Sequence, residues 1–435
     1  MRPLADTKHV YPSVRSIPPV PPGPPSERRS QVLSQNLLAL GFTSFFSDIS
    51  SEMVVAIVPL FLTTSLGFSL FGFAAYEAAY QATNAVFRIW GGSIADNRQS
   101  HKKTAAAGYF ISALTRVGLV AGALVAAIPA VPFLLADRIG KGLRTAPRDA
   151  LISLSTAPDR LAQAFGIHRA MDTAGALLGP LAAFLVLRAA PGAFDAVFVI
   201  SAMFAALGVA VIWLFAHEKP QQRVHEQPSK TREQWGQVLT TTGVPRIAVA
   251  VALLSVVTVG DAFIYLIIQQ NNNLDAQYFP LLFVGTALVY LALAMPLGRL
   301  ADKIGTRPVF LGGNALLVGM YLVLAYSDLG LVASLVALGL LGAYYAATDG
   351  VVPAMVSRLV PSHIRASGIA MVTVIIAISR MLSAGIFVTL FETFGKTNAL
   401  MALAVAMIAA VVATTALFAS EPAAPITTLT KDPPT

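Results

Sequence analysis

Six charged side chains fall within the fifteen residues ADRIGKGLRTAPRDA, Ala136 to Ala150. Asp137, Lys141, Arg144 and Arg148 follow one another at spacings of 4, 3 and 4, so a helix would align them in one stripe, flanked by Arg138 and Asp149. Groups of these types can pair with one another, hold a charged ligand, or load and release a proton. A carboxylate in poorly hydrated surroundings favours its protonated form, and an approaching guanidinium reverses that preference. The flanking residues are apolar enough for a membrane-spanning helix. A charge at the bilayer centre costs about 2.5–3.5 kcal/mol even on the lenient insertion scales. Four to six such charges facing lipid would cost on the order of 10–20 kcal/mol, more than the typical stability of a fold. The stripe must face protein or water.

Other apolar stretches carry the same kind of stripe. Ser44, Asp48, Ser51 and Glu52 share a helical face, as do Glu77, Gln81, Asn84 and Arg88. Arg116 stands alone in its stretch, His168, Arg169 and Asp172 cluster at the start of another, and Asp261 shares a face with Tyr265. Two late apolar segments carry Tyr344, Tyr345 and Asp349, and Arg380. Acids and bases nearly balance. That balance fits a buried network of salt bridges holding helices in register, and it equally fits a polar cavity in which ionisable residues do the work. Arg88, Arg148 and Asp149 lie near helix ends and suit structural pairing. Asp48 or Glu52 is the expected proton carrier, with Arg138 as its modulator. Glu77, Gln81, Asn84, Asp137, Lys141, Arg144, His168, Asp172, Asp261, Tyr344 and Asp349 are expected to line a substrate cavity. His168 suits either a proton relay or a packed, capped histidine. Tyr76, Tyr80, Tyr344 and Tyr345 suit an aromatic-lined cargo site or plain packing.

Composition supplies the elements that must position these groups. Of 435 residues 56% are hydrophobic and only 12% charged, against about 25% charged in soluble domains. The length fits about twelve spans of ~20 residues with short loops, so the expected fold class is all-α, a polytopic membrane protein of twelve transmembrane helices. With no cysteine, disulfides, thiol catalysis and zinc–thiolate sites are excluded. The net charge of +8 does not mark nucleic-acid binding, because the bases between spans gather on one side. They run from Arg28 and Arg29 through Lys102, Lys103 and Arg160 to Arg358 and Arg365, while the opposite connections carry only Arg188 and Lys396. This bias places both termini in the cytoplasm of a cell-membrane protein. No P-loop, metal-ligand cluster or nucleophile–base set stands at recognisable spacing. An enzyme, a cofactor and a metal are therefore not expected.

The chain divides into a Pro-rich polar tail (1–32) favouring extended polyproline II, six spans (33–216), a charged linker (217–243), six further spans (244–418) and a short polar tail (419–435). The halves repeat. GGSIADNRQSHKK at Gly91 corresponds to GRLADKIGTRP at Gly298, PDRLAQAFG at Pro158 to PSHIRASG at Pro361, and Asp48 to Asp261. Duplicated six-helix halves are the build expected of a transporter that rocks about a midplane site.

These blocks resemble the major facilitator superfamily over residues 33 to 418. GRLADKIGTR is similar to that family's loop motif G-x-x-x-D-x-x-G-R-K through Gly298, Asp302, Gly305 and Arg307, and the first-half copy keeps Gly92 and Asp96. Arg138 followed by Gly142 is similar to the span-4 R-x-x-x-G element, and Gly175, Gly179 and Pro180 match the span-5 antiporter motif. The resemblance implies two pseudo-symmetric bundles and, through the antiporter-like elements, proton-coupled efflux of a small organic molecule. Lys141, Arg144 and Arg148 suit an anionic or zwitterionic cargo, and the neighbouring acids oppose that inference. The expected partners are a small-molecule substrate, a proton as coupling ion and the lipid bilayer, with no nucleic acid, and the expected form is a monomer. The alternatives are an uptake permease for an organic anion and a non-transporting membrane sensor on the same fold.

Overall fold

The computed structural model describes residues 35–98, 100–124, 129–156, 161–217, 231–326, 330–361 and 364–419. Residues 1–34, residues 218–230 of the charged linker and residues 420–435 lie outside them. The long helices are α1 (Gln35–Val55), α2 (Leu70–Arg98), α3 (His101–Leu124), α4 (Ala130–Leu154), α5 (Leu161–Ala189) and α6 (Phe194–Phe215). After a short linker helix α7 (Thr231–Thr240) come α8 (Val244–Val256), α9 (Asp261–Asn272), α10 (Phe279–Ile304), α11 (Thr306–Ala325), α12 (Leu331–Thr348), α13 (Val351–Leu359) and α14 (Arg365–Ala419).

Among the described residues, nine segments are long and apolar enough to cross a membrane. One of them, Ser367–Ala419, is two passes joined at Gly395, whose φ of 78° belongs to the left-handed region that glycine enters freely. Helices α2 and α4 are absent from the nine, being richer in polar and charged residues, yet each is long enough to span, with 29 and 25 residues. The nine segments, the doubled one and these two make twelve passes. Their outer surfaces carry Met203, Trp213, Leu214, Leu335 and Val412, all exposed, as lipid contact requires.

Three passes are interrupted, and in each the sequence supplies the reason. In the first, Pro59 sits in the opening turn of a new helical segment, Val58–Leu60, and a π-helical turn, Phe61–Ser65, follows. In the seventh, α8 ends at Val256 and α9 starts at Asp261 after an extended Gly260. The freed backbone there is satisfied by side chains. The Val259 N–H donates to the Tyr321 hydroxyl at 3.0 Å, that hydroxyl donates to the Val257 carbonyl at 2.9 Å, and Ser383 donates to the Thr258 carbonyl at 2.7 Å. In the tenth, Asp349 and Gly350 separate α12 from α13. Asp48 lies before the interruption of its pass and Asp261 after that of its own, so the two are not at matching places in their halves.

The halves nonetheless share one packing plan. In the first, α1 packs on α5 and α6, α4 on α2 and α3, and α3 on α6. In the second, α8 packs on α14, α12 on α10 and α11, and α11 on α14. The bundles meet where α2 touches α14 and where α5 touches α10. These two contacts exchange under the same half-to-half correspondence, giving two pseudo-symmetric six-helix bundles. Asn36 bonds both Ser155 and the His217 backbone, fixing the ends of α1, α4 and α6 on one side of the molecule, here the Gln35 side.

Candidate functional site

The charged stripe of α4 faces inward. Asp137, Arg138, Arg144 and Arg148 are buried and Lys141 is half-buried. Close approach of helices makes this possible. A Cβ on Gly140 would lie 2.6 Å from the Gly108 carbonyl oxygen, so α3 and α4 touch backbone to backbone, and Arg116 of α3 reaches the stripe. Its guanidinium pairs with Asp137 at 3.0 Å and points at Ser50 and Ser51 of α1. Arg138 takes the other oxygen of Asp137 and lies 4.5 Å from the centre of the Tyr80 ring. One carboxylate thus serves two buried guanidinium groups. Its removal would leave both uncompensated, the costly way to break a buried pair.

Toward the Gln35 side the pairs become more accessible. Lys141 meets Glu52 at 3.3 Å and Arg144 meets Asp48 at 3.7 Å. Arg144 also donates to Ser112 at 3.1 Å and stacks 4.6 Å from the Tyr109 ring centre. Arg148 pairs with Asp149 at 2.9 Å and Asp172 at 3.6 Å, and donates to Ser44 at 2.9 Å. His168 faces Asp172 through Nδ1 at 3.5 Å. The acids of α1 are held in place by the span-5 glycines. A Cβ on Gly175 would lie 2.6 Å from the Phe45 carbonyl oxygen and 3.2 Å from the Asp48 Cβ, and one on Gly179 only 2.7 Å from the Glu52 Cβ. Gly175 and Gly179 therefore let α5 lie directly against the turns that carry Asp48 and Glu52.

A cavity of about 540 Å³ lies between the halves. Asp48, Glu52, Asn84, Lys141, Arg144, Arg148, Arg169, Asp172 and Pro180 line it from the first half, and Asp261, Tyr265, Tyr290, Tyr345 and Asp349 from the second. Arg169 and Asp349, on the Gln35 side, are exposed, and the cavity opens that way. A smaller pocket of about 190 Å³ adjoins it, with Tyr76, Glu77, Tyr80, Gln81, Asp261 and Arg380 in its wall. On the opposite side aromatic rings bridge the halves. Phe263 of the second half packs edge-on against Phe73 of the first at 5.1 Å, with Phe387 of its own half behind it at 5.2 Å, and Phe184 meets Tyr278 across the seam at 6.1 Å.

Several expected residues stand elsewhere. Tyr344 is buried behind the wall, and Tyr345 faces the cavity and hydrogen-bonds Asp261, because one residue along a helix turns the side chain by about 100°. Asp137 and Arg138 lie behind the cavity in their own ion cluster. Among the described residues no ion pair joins Arg138 to Asp48 or Glu52; Lys141 and Arg144 occupy those places. His168 is also buried behind Asp172. Arg380 donates to the Tyr344 hydroxyl at 3.4 Å and stacks on Tyr345 rather than pairing with Asp349. In the second-half loop motif, a Cβ added to Gly298 would meet nothing within 4 Å, Asp302 accepts from Arg358 at 3.2 Å, Gly305 has φ 98° and Arg307 stacks on Phe418 at 5.1 Å. The side chains of Asp96 and Arg88, and the surroundings of Gly92, lie outside those described.

Arg169, which the sequence placed in the α5 cluster but not in the cavity lining, and Tyr290, which it did not single out, also line the cavity. A signal for Arg169 existed: 169, 172, 173, 176, 177 and 180 line the cavity, the i, i+3, i+4, i+7 face that Asp172 itself defines.

Comparison with known proteins agrees with this architecture. A family model described as Major Facilitator Superfamily matches residues 40–269 and 247–434. An uncharacterized MFS-type transporter of Methanocaldococcus jannaschii is 29% identical over 364 residues, covering 80% of this chain and 86% of the relative. Among solved structures, a mutant of the nucleoside transporter NupG superposes with a TM-score of 0.74 at 15% identity, over 88% of this chain and 99% of its own. A POT family transporter in complex with 5-aminolevulinic acid gives 0.73 at 14%, over 89% and 98%. The two-bundle fold, the seam cavity and the family match converge: the chain belongs to the major facilitator superfamily and is a multi-pass membrane transporter.

Proposed function

We propose that the chain is a secondary active transporter that moves a small organic molecule by alternating access and exports it in exchange for protons. The observation that carries this reading is the 540 Å³ cavity on the seam, lined with charge from both halves, open on the Gln35 side and shut on the other by aromatic contacts. In this reading the Gln35 side is cytoplasmic, both tails lie there, and the protein works as a monomer in the cell membrane. Residues 33–216 and 244–418 form the rocking units, joined by the linker 217–243. The energy source is the proton gradient, and no cofactor takes part.

Asp48 and Glu52 are the proposed proton carriers. Each touches the cavity and each has a basic partner on α4, Arg144 or Lys141. Rocking changes the hydration around these pairs, and with it the balance between protonated acid and ion pair. Gly175, Gly179 and Pro180 support the antiport direction through their likeness to the span-5 motif. The loop residues Gly298, Asp302, Gly305 and Arg307, with Gly92 and Asp96, are the proposed gating elements.

One contact favours a second reading, proton-coupled uptake of an organic anion. The Lys141–Glu52 pair is the most accessible of the ion pairs within the first bundle, with side-chain exposures of 31% and 24%. A proton on Glu52 would release Lys141 for an incoming carboxylate. The absence of native cysteine gives a clean test of alternating access. Thr173→Cys, in the cavity wall, is exposed in vesicles to membrane-impermeant thiol reagents applied from each side. Access from both sides in turn, shifted by a pH gradient, is expected; access from one side under every gradient refutes transport. Growth with and without the gene, on toxic compounds and on sole nutrients, separates export from uptake.

A further inference from the structure

The charges of the cavity are divided unevenly between its walls. The N-terminal wall carries four cations, Lys141, Arg144, Arg148 and Arg169, and three acids, Asp48, Glu52 and Asp172. Lys141 pairs with Glu52 and Arg144 with Asp48, and Arg148 is shared between Asp172 and, more closely, Asp149 outside the wall. Arg169 is left over, exposed to the cavity and without an ion pair among the described residues. The C-terminal wall carries two acids, Asp261 and Asp349, and no cation. Asp261 accepts a hydrogen bond from Tyr345, and Arg380 shares the adjoining pocket with Asp261. One cation against two acids leaves a surplus negative charge, and the exposed Asp349 displays it. The two surplus groups line the same cavity, one from each half.

We propose that the cavity takes a small zwitterion, its anionic end at Arg169 on one half and its cationic end at Asp349 on the other. A simple anion reaching Arg169 would face two acids on the opposite wall, and a simple cation at Asp349 would face Arg169. Like-charge juxtaposition of that kind is how a site rejects the wrong ligand. The cavity volume lies within the roughly 300–1,000 Å³ of small-molecule sites. The proposal rests on the transport reading above, and it adds a role for cargo in the motion. A ligand held by opposite charges on the two bundles ties them together when the cavity closes.

The test uses the purified full-length chain in detergent, titrated by calorimetry and thermal shift with matched probes. These are α,ω-amino acids of roughly ligand-site size and unmodified dipeptides, each beside its carboxylate-only and amine-only counterpart. The zwitterion is expected to bind best in its set, by about tenfold or more, the worth of one charge-assisted hydrogen bond. Arg169→Gln is expected to erase the advantage over the amine, and Asp349→Asn the advantage over the acid. The proposal is overturned if a singly charged or neutral probe binds as tightly, or if no probe binds. The Thr173→Cys labelling is run on the same purified chain reconstituted into vesicles. Two-sided access with no zwitterion preference removes the cargo class and keeps transport, whereas one-sided access removes transport itself.

Discussion

Gly179 of α5 lies so close to Glu52 of α1 that a Cβ added to the glycine would sit 2.7 Å from the Glu52 Cβ and 2.9 Å from the Met53 backbone nitrogen. Backbone cannot yield as a flexible side-chain tip can, so Gly179→Ala must push α5 off α1. Overpacking of this kind costs about 1–3 kcal/mol. Gly166, on the same helix, has nothing within 4 Å of its Cβ position. Gly166→Ala should therefore be neutral or stabilising by up to about 1 kcal/mol through helix propensity. Thermal unfolding in detergent distinguishes them: the Gly179 variant melts earlier than wild type and the Gly166 variant does not.

The Arg116–Asp137–Arg138 cluster predicts an asymmetry between its members. Asp137→Asn strands two buried guanidinium groups, and breaking a buried pair this way costs about 3–5 kcal/mol. Arg116→Met leaves Asp137 paired with Arg138, so its loss should be smaller. Folded yield and melting temperature are the measurements, and equal losses in the two variants would show that the carboxylate does not serve both bases.

At the interruption of the seventh pass, Tyr321 is the only described side chain bonded to both Val257 and Val259. Tyr321→Phe keeps the ring and removes the hydroxyl, leaving a buried N–H and carbonyl without that partner. The expected cost is about 1–3 kcal/mol. Amide hydrogen exchange should rise around 257–260 more than in the neighbouring helices; uniform exchange would show that the break is held by packing alone.

How much of this was legible in the sequence depends on whether a relationship lies within a helix or between helices. The 4-3-4 spacing from Asp137 to Arg148 needs only the helical repeat, and the stripe does turn inward. That Arg116, alone in its own stretch, would end on Asp137 depends on α3 and α4 meeting at Gly108 and Gly140, a between-helix contact that no spacing encodes. Tyr344 and Tyr345 were indistinguishable by composition, and only the rotation of α12 chooses between them. His168 and Arg169 differ in the same way. The half-to-half repeat was readable from the loop motifs, whereas the Asp48–Asp261 correspondence failed because the interruptions of the two passes fall on opposite sides of those acids.

The aromatic bridge through Phe263 predicts a shift in conformational population. An edge-on aromatic pair contributes about 0.5–1.5 kcal/mol, so loss of the Phe263–Phe73 pair across the seam in Phe263→Ala should favour the form open on that side by roughly two- to tenfold. Thiol labelling of Thr173→Cys from the side away from Gln35 should accelerate correspondingly. No change in that rate would mean the seal lies elsewhere.

Glu52 and Asp48 differ in their settings, and the difference predicts unequal consequences for coupling. Glu52 pairs with the half-exposed Lys141, while Asp48 meets Arg144, which Ser112 and the Tyr109 ring also hold. An arginine so held has less freedom to leave its acid during rocking than a flexible lysine at the cavity wall. Glu52→Gln should therefore reduce pH-gradient-driven flux in vesicles tenfold or more while sparing exchange of cargo for cargo, which moves no net proton. Asp48→Asn should impair both, because it also removes the counterion of a buried arginine. If both variants keep wild-type coupling, neither acid carries the proton, and the carrier must be sought on the C-terminal wall, at Asp261 or Asp349.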